Sequence, residues 1–122
     1  MVEIIPVDDK LKQQRFCHLL GAHFSLSLMA YAAVKSGDPV GICQFEISDG
    51  VCKIRDAAFD RSITKTKIPI ILLRSVIHYA DECCAERVDV LVKNFDERIF
   101  EVAGFTICER GYYQIELQKF SH

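Results

Sequence analysis

The chain contains 122 residues, of which 50% are hydrophobic and 26% are charged, with only six glycines and three prolines. This length and composition predict one compact domain, residues 1–122, and argue against two domains. Seventeen acidic and fifteen basic residues give a formal net charge of −2. Because no run of Lys or Arg is long enough to follow a phosphate backbone, nucleic acid is not an expected partner.

The sequence also argues against a membrane protein. The longest mostly apolar run, residues 68–77, is about half of the roughly 20 residues that a helix needs to cross a bilayer. The first residues, Met1-Val2-Glu3-Ile4-Ile5, lack the basic segment of a secretory signal. We therefore expect a cytoplasmic protein without a membrane partner.

Six cysteines occur, at positions 17, 43, 52, 83, 84 and 108. A chain of this size can bury a core without disulfides. The sequence has neither a Cys-x-x-Cys pair nor a His at the close spacing typical of a zinc site, so we expect no metal site. We predict instead that the cysteines are small core residues. The adjacent Cys83 and Cys84 could form a redox switch. Their predicted place in the last turn of a helix, where neighbouring side chains diverge, favours packing instead.

The first half of the chain predicts one helix among strands. The four predicted strands are residues 2–7, 28–35, 40–47 and 51–59. The helix is expected to begin at the Asp8-Asp9 cap and to end at Gly21, while residues 22–27 are ambiguous and could form a helical turn. Turns at residues 36–39 and at Asp49-Gly50 predict two successive hairpins.

The second half of the chain changes to a helical period at Pro69. The apolar face of this predicted helix carries Leu72, Leu73, Val76, Ile77, Ala80, Cys83 and Cys84. A further helix is predicted to begin at Asn94 and to end at Gly104. The remaining predicted strands are residues 88–92, 105–109 and 112–119. The resulting order, β-α-(short α)-β-β-β-α-β-α-β-β, predicts an α+β fold.

The most specific motif follows the predicted strand at residues 88–92 and reads Asn94-Phe95-Asp96-Glu97-Arg98-Ile99-Phe100-Glu101-Val102-Ala103-Gly104-Phe105. It is similar to the pattern Asn-x-x-Ala-x-x-x-Tyr-x-x-x-Gly-Phe of the GNAT superfamily of acyl-CoA N-acyltransferases. The chain resembles this family over nearly its whole length by element order, and over residues 51–105 by motif. The resemblance implies a GNAT-like α+β fold, with a mixed, mostly antiparallel central sheet of about seven strands flanked by helices.

The resemblance implies an N-acetyltransferase that moves an acyl group directly from acetyl-CoA, or from another acyl-CoA, to a primary amine. The acceptor could be a small amine or a protein amine, and the chain could form a homodimer. The alternative is a catalytically silent GNAT-fold domain that binds CoA or a protein partner. If the resemblance is accidental, an α+β scaffold with a different ligand is a third reading.

In this family the cofactor pyrophosphate lies at the start of the central helix, in a loop of pattern Arg/Gln-x-x-Gly-x-Gly/Ala. Helix N-termini bind anions through their exposed N–H groups. The matching loop here is Thr64-Lys65-Thr66-Lys67-Ile68-Pro69, so Lys67 and Pro69 replace both glycines. Pro69 lacks an N–H donor, but Lys65, Lys67 and the hydroxyls of Thr64 and Thr66 could compensate. The alternative is an ordinary helix start with two solvated lysines.

The resemblance also implies where catalysis takes place. A backbone N–H near Phe59, at the end of the fourth strand, would polarise the thioester carbonyl. The Tyr that many members use as the acid corresponds to Phe100, which has no proton to give and could be an inert core residue. Phe59, Asn94 and Phe100 are therefore assigned to the cofactor site. Release of the thiolate would depend on water or on one of four tyrosines, Tyr31, Tyr79, Tyr112 and Tyr113.

Asp56 is the candidate catalytic base. A two-residue turn at Asp49-Gly50 places Asp56 opposite Cys43, at the end of an otherwise apolar face. A carboxylate on a buried face is expected to have a raised pKa unless it is paired, as a catalytic base requires. A bulge in this strand would instead turn Asp56 outward. His18 and His23 are weaker candidates, because they flank Gly21 where GNAT acceptors usually bind, but they could equally be helix-end residues.

Overall fold

A seven-stranded sheet forms the frame of the molecule in the computed structural model, which describes residues 1–92 and 96–117. The strands are β1 (Val2–Val7), β2 (Met29–Lys35), β3 (Asp38–Ser48), β4 (Val51–Phe59), β5 (Arg87–Val90), β6 (Thr106–Ile107) and β7 (Tyr113–Glu116). Their spatial order is β1-β2-β3-β4-β5-β7-β6. Among the strand pairs that the described residues form, only β4–β5 is parallel. The predicted α+β fold with a mostly antiparallel sheet is confirmed.

Three helices accompany the sheet, namely α1 (Lys10–Leu20), α2 (Ile68–Glu82) and α3 (Glu97–Ala103). Helix α1 begins where the Asp9 side chain accepts a 2.9 Å hydrogen bond from the Leu11 N–H, and it ends at Gly21 with φ 72°. Helix α3 begins after Asp96, which caps it, rather than at Asn94 as predicted. Asn94 itself lies outside the described residues.

Local turn chemistry places most of the remaining elements. Asp49 and Gly50 have φ of 53° and 77°, as a tight hairpin turn requires, so the predicted turn is confirmed.

Residues 22–27 contain no helix. The strands predicted at 105–109 and 112–119 are shorter, at Thr106–Ile107 and Tyr113–Glu116, and residues 118 and 119 lie outside the described residues. Such a short edge strand leaves few backbone groups unpaired.

The two faces of the sheet bury separate sets of apolar side chains. Helices α2 and α3 cover one face, which we call the α2 face, with Phe45, Ile54, Leu72 and Phe100 among its buried residues. Helix α1 covers the other, the α1 face, with Val7, Phe16, Cys17, Ala32 and Ile42 buried beneath it. In the described residues no helix is long and apolar enough to span a membrane.

The cysteines divide into buried and exposed groups. Cys17, Cys43 and Cys52 are buried as predicted, and burial raises the pKa of Cys17 to about 11 and that of Cys52 to about 12. The prediction that Cys83 and Cys84 are packed in the last turn of a helix is wrong. Both side chains are exposed, because α2 ends at Glu82 and the chain then turns away.

Candidate functional site

Strand β4 is paired with β5 along only part of the length of β4. Their register runs from the Val51–Arg87 pair to the Ile54–Val90 pair, and the Leu91 N–H donates to the Ile54 carbonyl at 2.9 Å. Strand β4 continues to Phe59, beyond the last pair with β5 that the described part of the chain forms. The sheet therefore opens between these two strands, and we call this opening the β4–β5 gap.

A β-bulge in β4 lies where the gap begins. Phe45 of β3 pairs with Ile54, whereas the preceding Gln44 pairs with Asp56, so Arg55 is the extra residue. A bulge of one residue reverses the alternation of side chains beyond it. Asp56 is consequently turned from the α2 face to the α1 face.

The predicted pairing of Asp56 with Cys43 is therefore wrong, since Cys43 pairs with Ala57. The outward turn that a bulge was expected to cause is confirmed, but Asp56 is half-buried rather than fully exposed. Its Oδ2 accepts hydrogen bonds from Gln44 Nε2 at 2.8 Å and from the His23 backbone N–H at 3.0 Å. Asp56 thus holds the segment that follows α1 against the sheet.

Two buried glutamines extend this contact into a polar chain beneath α1. Gln13 donates from Nε2 to Gln44 Oε1 at 2.9 Å and to the Leu28 carbonyl at 3.1 Å. Gln44 in turn donates to the His23 carbonyl at 2.8 Å, and Lys10 Nζ donates to Gln13 Oε1 at 3.0 Å. Both glutamines are fully buried, so each hydrogen bond offsets a desolvation cost. Neither glutamine is among the site residues predicted from the sequence, since no local pattern marks either one.

The backbone of β4 presents an N–H group to the β4–β5 gap. The Asp60 N–H donates to the Val40 carbonyl of β3 at 2.8 Å. Backbone groups alternate in direction along a strand, so the N–H of Ala57 points away from β3 and toward the gap. Phe59 lies at the end of β4, where its ring covers Gly41 so closely that a Cβ there would lie 2.8 Å from it.

The loop before α2 is held largely by its own hydrogen bonds. Thr66 Oγ1 donates to the Ile63 carbonyl at 2.6 Å and accepts from the Ile68 N–H at 3.2 Å. Thr64 Oγ1 donates to the Arg61 carbonyl at 3.1 Å, and Pro69 has no N–H. The Lys65 and Lys67 residues are exposed. An anion at this loop would therefore be bound mainly by the positive charges of Lys65 and Lys67.

Phe100 lies in the core beneath α3. It is only 2% exposed, and its ring centroid is 5.9 Å from that of Phe105 and 5.7 Å from that of Tyr113. The Tyr113 hydroxyl donates to Glu101 Oε2 at 3.1 Å. Burial, together with the neighbouring Glu101, raises the pKa of Tyr113 above its usual value. Among the four tyrosines considered from the sequence, Tyr113 thus packs against the position of the family acid.

A groove of about 490 Å³ lies between α1 and the segment that follows it. Leu11, Ala22 and Phe24 supply apolar walls, and Arg15 and His18 supply polar groups. His18 and His23 are both exposed. The contacts of His23 with Asp56 and Gln44 come from its backbone rather than from its imidazole.

Solved acetyltransferase structures resemble this chain. The IAA acetyltransferase from Bacillus cereus ATCC 14579 matches with a TM-score of 0.72 at 20% identity, over 89% of this chain and 79% of that chain. The ribosomal-protein-S18-alanine N-acetyltransferase from Escherichia coli matches with a TM-score of 0.73 at 11% identity, over 96% and 94%. A Bacillus subtilis acetyltransferase in complex with CoA matches with a TM-score of 0.70 at 16% identity, over 88% and 78%.

No sequence-family model matches the chain, and no curated protein matches it by sequence. Many of the similar structures are GNAT acetyltransferases, and the seven-stranded, mostly antiparallel sheet with three helices matches their fold. The chain therefore has the fold of the GNAT acetyltransferases.

Proposed function

We propose that the chain is an acyl-CoA N-acyltransferase, which moves an acetyl or other acyl group from CoA to a primary amine. The observation that carries the proposal is the β4–β5 gap, into which the Ala57 N–H points. An extended chain with amide groups can bind an open strand edge through backbone hydrogen bonds, as peptides do. The pantetheine arm of CoA is such a chain, and one structure of the same fold is in complex with CoA.

In the proposed reaction the amine nitrogen attacks the thioester carbonyl carbon. A C–N bond forms, the C–S bond breaks, and CoA leaves as a thiolate that takes a proton from water. The Ala57 N–H would stabilise the negative charge on the carbonyl oxygen. Asp56, the neighbouring residue, would accept the proton of the amine directly or through one water molecule.

The remaining predicted residues would bind the donor. Lys65 and Lys67 would neutralise the pyrophosphate, since both are exposed and next to the start of α2. Thr64, Thr66 and Phe59 flank the same end of β4 and α2 and would contact the nucleotide or the pantetheine arm. Asn94 and Phe100 stay assigned to the cofactor site as predictions.

For the acceptor we propose a small amine or a protein amine in the cytoplasm, where acetyl-CoA is available. The net charge of −2 supports a partner other than nucleic acid. The groove beside α1 is the candidate acceptor surface, because Asp56 holds its wall through His23. A homodimer stays a prediction.

The proposal is tested by incubating the full chain with isotopically labelled acetyl-CoA and a panel of small amines and peptides. Mass spectrometry of the products then detects a labelled amide. We expect transfer by the parent chain and a decrease of about 10²–10⁴-fold for Asp56→Asn, the range typical of general acid–base catalysis. Asp49→Asn is the matched control, since Asp49 is an exposed carboxylate in the turn at the other end of β4.

Absence of labelled amide from every amine would contradict an active enzyme. Equal rates for the parent chain and Asp56→Asn would contradict the role of Asp56. The Asp49→Asn control must retain parental activity, because its carboxylate lies outside the gap.

The second candidate function is a catalytically silent domain that binds CoA or a protein partner. Two observations favour it. The first N–H of α2, that of Ile68, already donates to the Thr66 hydroxyl. Phe100, at the position of the family acid, is buried and has no hydroxyl that could donate a proton. Binding of acetyl-CoA without any labelled product would support this candidate over the enzyme.

A further inference from the structure

Cys83 and Cys84 are two exposed thiols on adjacent residues at the end of α2. The Cys84 N–H donates to the Asp81 carbonyl and the Ala85 N–H donates to the Ala80 carbonyl, both at 3.0 Å. These two bonds form a Schellman motif, the common termination of a helix. Cys84 occupies its left-handed position, with φ 62°.

Glycine is the usual residue at this left-handed position, because a Cβ is disfavoured there. Here a cysteine occupies it, directly after another exposed cysteine. The acyl-transfer proposal uses neither thiol, since the gap and the lysine loop lie toward the opposite end of α2. The helix has 15 residues, so its two ends are about 22 Å apart at 1.5 Å per residue.

Helical geometry does not separate the two thiols, contrary to the expectation from the sequence. That divergence applies to adjacent residues inside a helix, whereas α2 ends at Glu82 and Cys84 has left-handed backbone angles. Both residues are exposed, so a ligand can approach both thiols from solvent, although the Cys83 thiol also interacts with the Tyr79 hydroxyl. Because the two residues are adjacent in the chain, one ligand can reach both sulfurs if it displaces the Cys83 thiol from Tyr79.

The charges around the pair determine which thiol reagent is favoured. Asp81, Glu82 and Glu86 are all exposed and lie within two residues of a thiol. They repel anionic disulfides of the glutathione class, but a neutral reagent experiences no such repulsion. In the described part of the chain no cluster of three or more His, Cys, Asp or Glu side chains could hold a metal ion. The pair thus suits a neutral ligand that needs only two sulfur donors.

We propose that Cys83 and Cys84 together form a binding site for neutral trivalent arsenic compounds. An arsenic(III) oxide of the form R–As=O condenses with both thiols, so that two As–S bonds form and two S–H bonds break. The As=O bond also breaks, and the oxygen leaves as water with the two thiol protons. Arsenic stays trivalent, so the step needs no oxidant or reductant.

The test uses phenylarsine oxide with the full chain, followed by intact-mass measurement. We expect one adduct that survives an excess of a monothiol and is removed by a dithiol, because a dithiol competes with both bonds at once. Cys83→Ser and Cys84→Ser should each abolish the monothiol-resistant adduct. Cys108→Ser is the matched control and should keep it, since Cys108 is a partly accessible cysteine in a separate turn.

Two results would overturn the proposal. One is an adduct of the parent chain that a monothiol removes, which would indicate binding through a single sulfur. The other is a monothiol-resistant adduct that persists in either Cys83→Ser or Cys84→Ser. Thermal unfolding of each variant establishes that the fold is retained, and the outcome does not depend on binding of acetyl-CoA.

Discussion

At the scale of single residues, the position of Asp56 depends on one extra residue in β4. The hairpin turn at Asp49-Gly50 was predicted correctly, and the pairs nearest to it follow from the turn. Arg55 then bulges, so every later side chain of β4 changes face. A bulge has no reliable local signature in the sequence, which explains why the partner of Asp56 was predicted wrongly, although the outward turn that a bulge would cause was named as the alternative.

Asp56 also stabilises the segment that follows α1, and this role can be separated from proton transfer. Asp56→Asn keeps a carbonyl oxygen that can accept from Gln44 and His23, so we expect little change in the free energy of unfolding. Asp56→Ala leaves both donors without this acceptor, and we expect a loss of about 1–3 kcal/mol. Urea denaturation of the two variants measures the difference. Equal stability of Asn and Ala variants would show that these hydrogen bonds contribute nothing.

Phe100 provides a second prediction at this scale. Its ring is 2% exposed, so the hydroxyl of Phe100→Tyr must enter the core beside Phe105 and Tyr113. We expect a loss of about 1–3 kcal/mol if that hydroxyl finds no partner, measured as a lower melting temperature. Phe24→Tyr is the control, because Phe24 is only half-buried and its added hydroxyl can reach water. Faster acyl transfer by Phe100→Tyr at an unchanged melting temperature would contradict the core placement.

Cys84 is expected to destabilise the end of α2. Left-handed backbone geometry costs an L-residue about 1–2 kcal/mol, and replacement by glycine removes this cost. The greater freedom of glycine in the unfolded chain offsets about 0.5–1 kcal/mol of the improvement. We therefore expect Cys84→Gly to raise the free energy of unfolding by about 0.5–1 kcal/mol. Cys83→Gly serves as the control and should not stabilise, since the φ of Cys83 is −84°. A less stable Cys84→Gly variant would contradict the backbone assignment.

At the scale of elements, the helices follow from local signals that the sequence contains. Asp9 and Gly21 mark the ends of α1, and Gly104 ends α3. The polar chain of Gln13 and Gln44 could not be predicted, because the two residues are 31 positions apart and meet only in the folded sheet.

The motif at residues 94–105 matches the spacing of the family pattern only in part. In the pattern the Gly follows the Asn by eleven positions, whereas Gly104 follows Asn94 by ten. Asn94 and Phe100 therefore cannot both occupy their pattern positions. The register counted back from Gly104 retains Phe100, and α3 begins at Glu97 with Asp96 as its cap.

The loop before α2 carries a prediction about donor binding. Thr66 and Pro69 leave it few backbone donors, so the charges of Lys65 and Lys67 should dominate its affinity for a pyrophosphate. We expect the double variant Lys65→Glu, Lys67→Glu to abolish acetyl-CoA binding in calorimetry. Lys35→Glu with Lys53→Glu makes the same charge change away from the loop, in β2 and in the part of β4 that is paired with β5, and should leave binding intact. Parental affinity of the loop variant would contradict this site.

At the scale of the whole molecule, the sheet topology creates the site. In residues 1–92 and 96–117 six strand pairs hold the sheet together, and the one parallel pair among them, β4 with β5, is where the sheet opens. Local patterns were enough to predict the order of the elements along the chain, whereas the mostly antiparallel sheet of about seven strands was predicted only through the resemblance to the GNAT family. The length of the opening could not be predicted, since it depends on where the pairing of β4 with β5 stops.

The central claim is that an acyl-CoA binds in the β4–β5 gap. Titration of the isotopically labelled chain with acetyl-CoA, followed by amide NMR, tests it most directly. We expect weak, saturable shifts concentrated in the amides of Ala57, Phe59, Lys65 and Lys67, with little change at Cys83 at the far end of α2. An absence of shifts up to millimolar acetyl-CoA, or shifts confined to the groove beside α1, would contradict the claim.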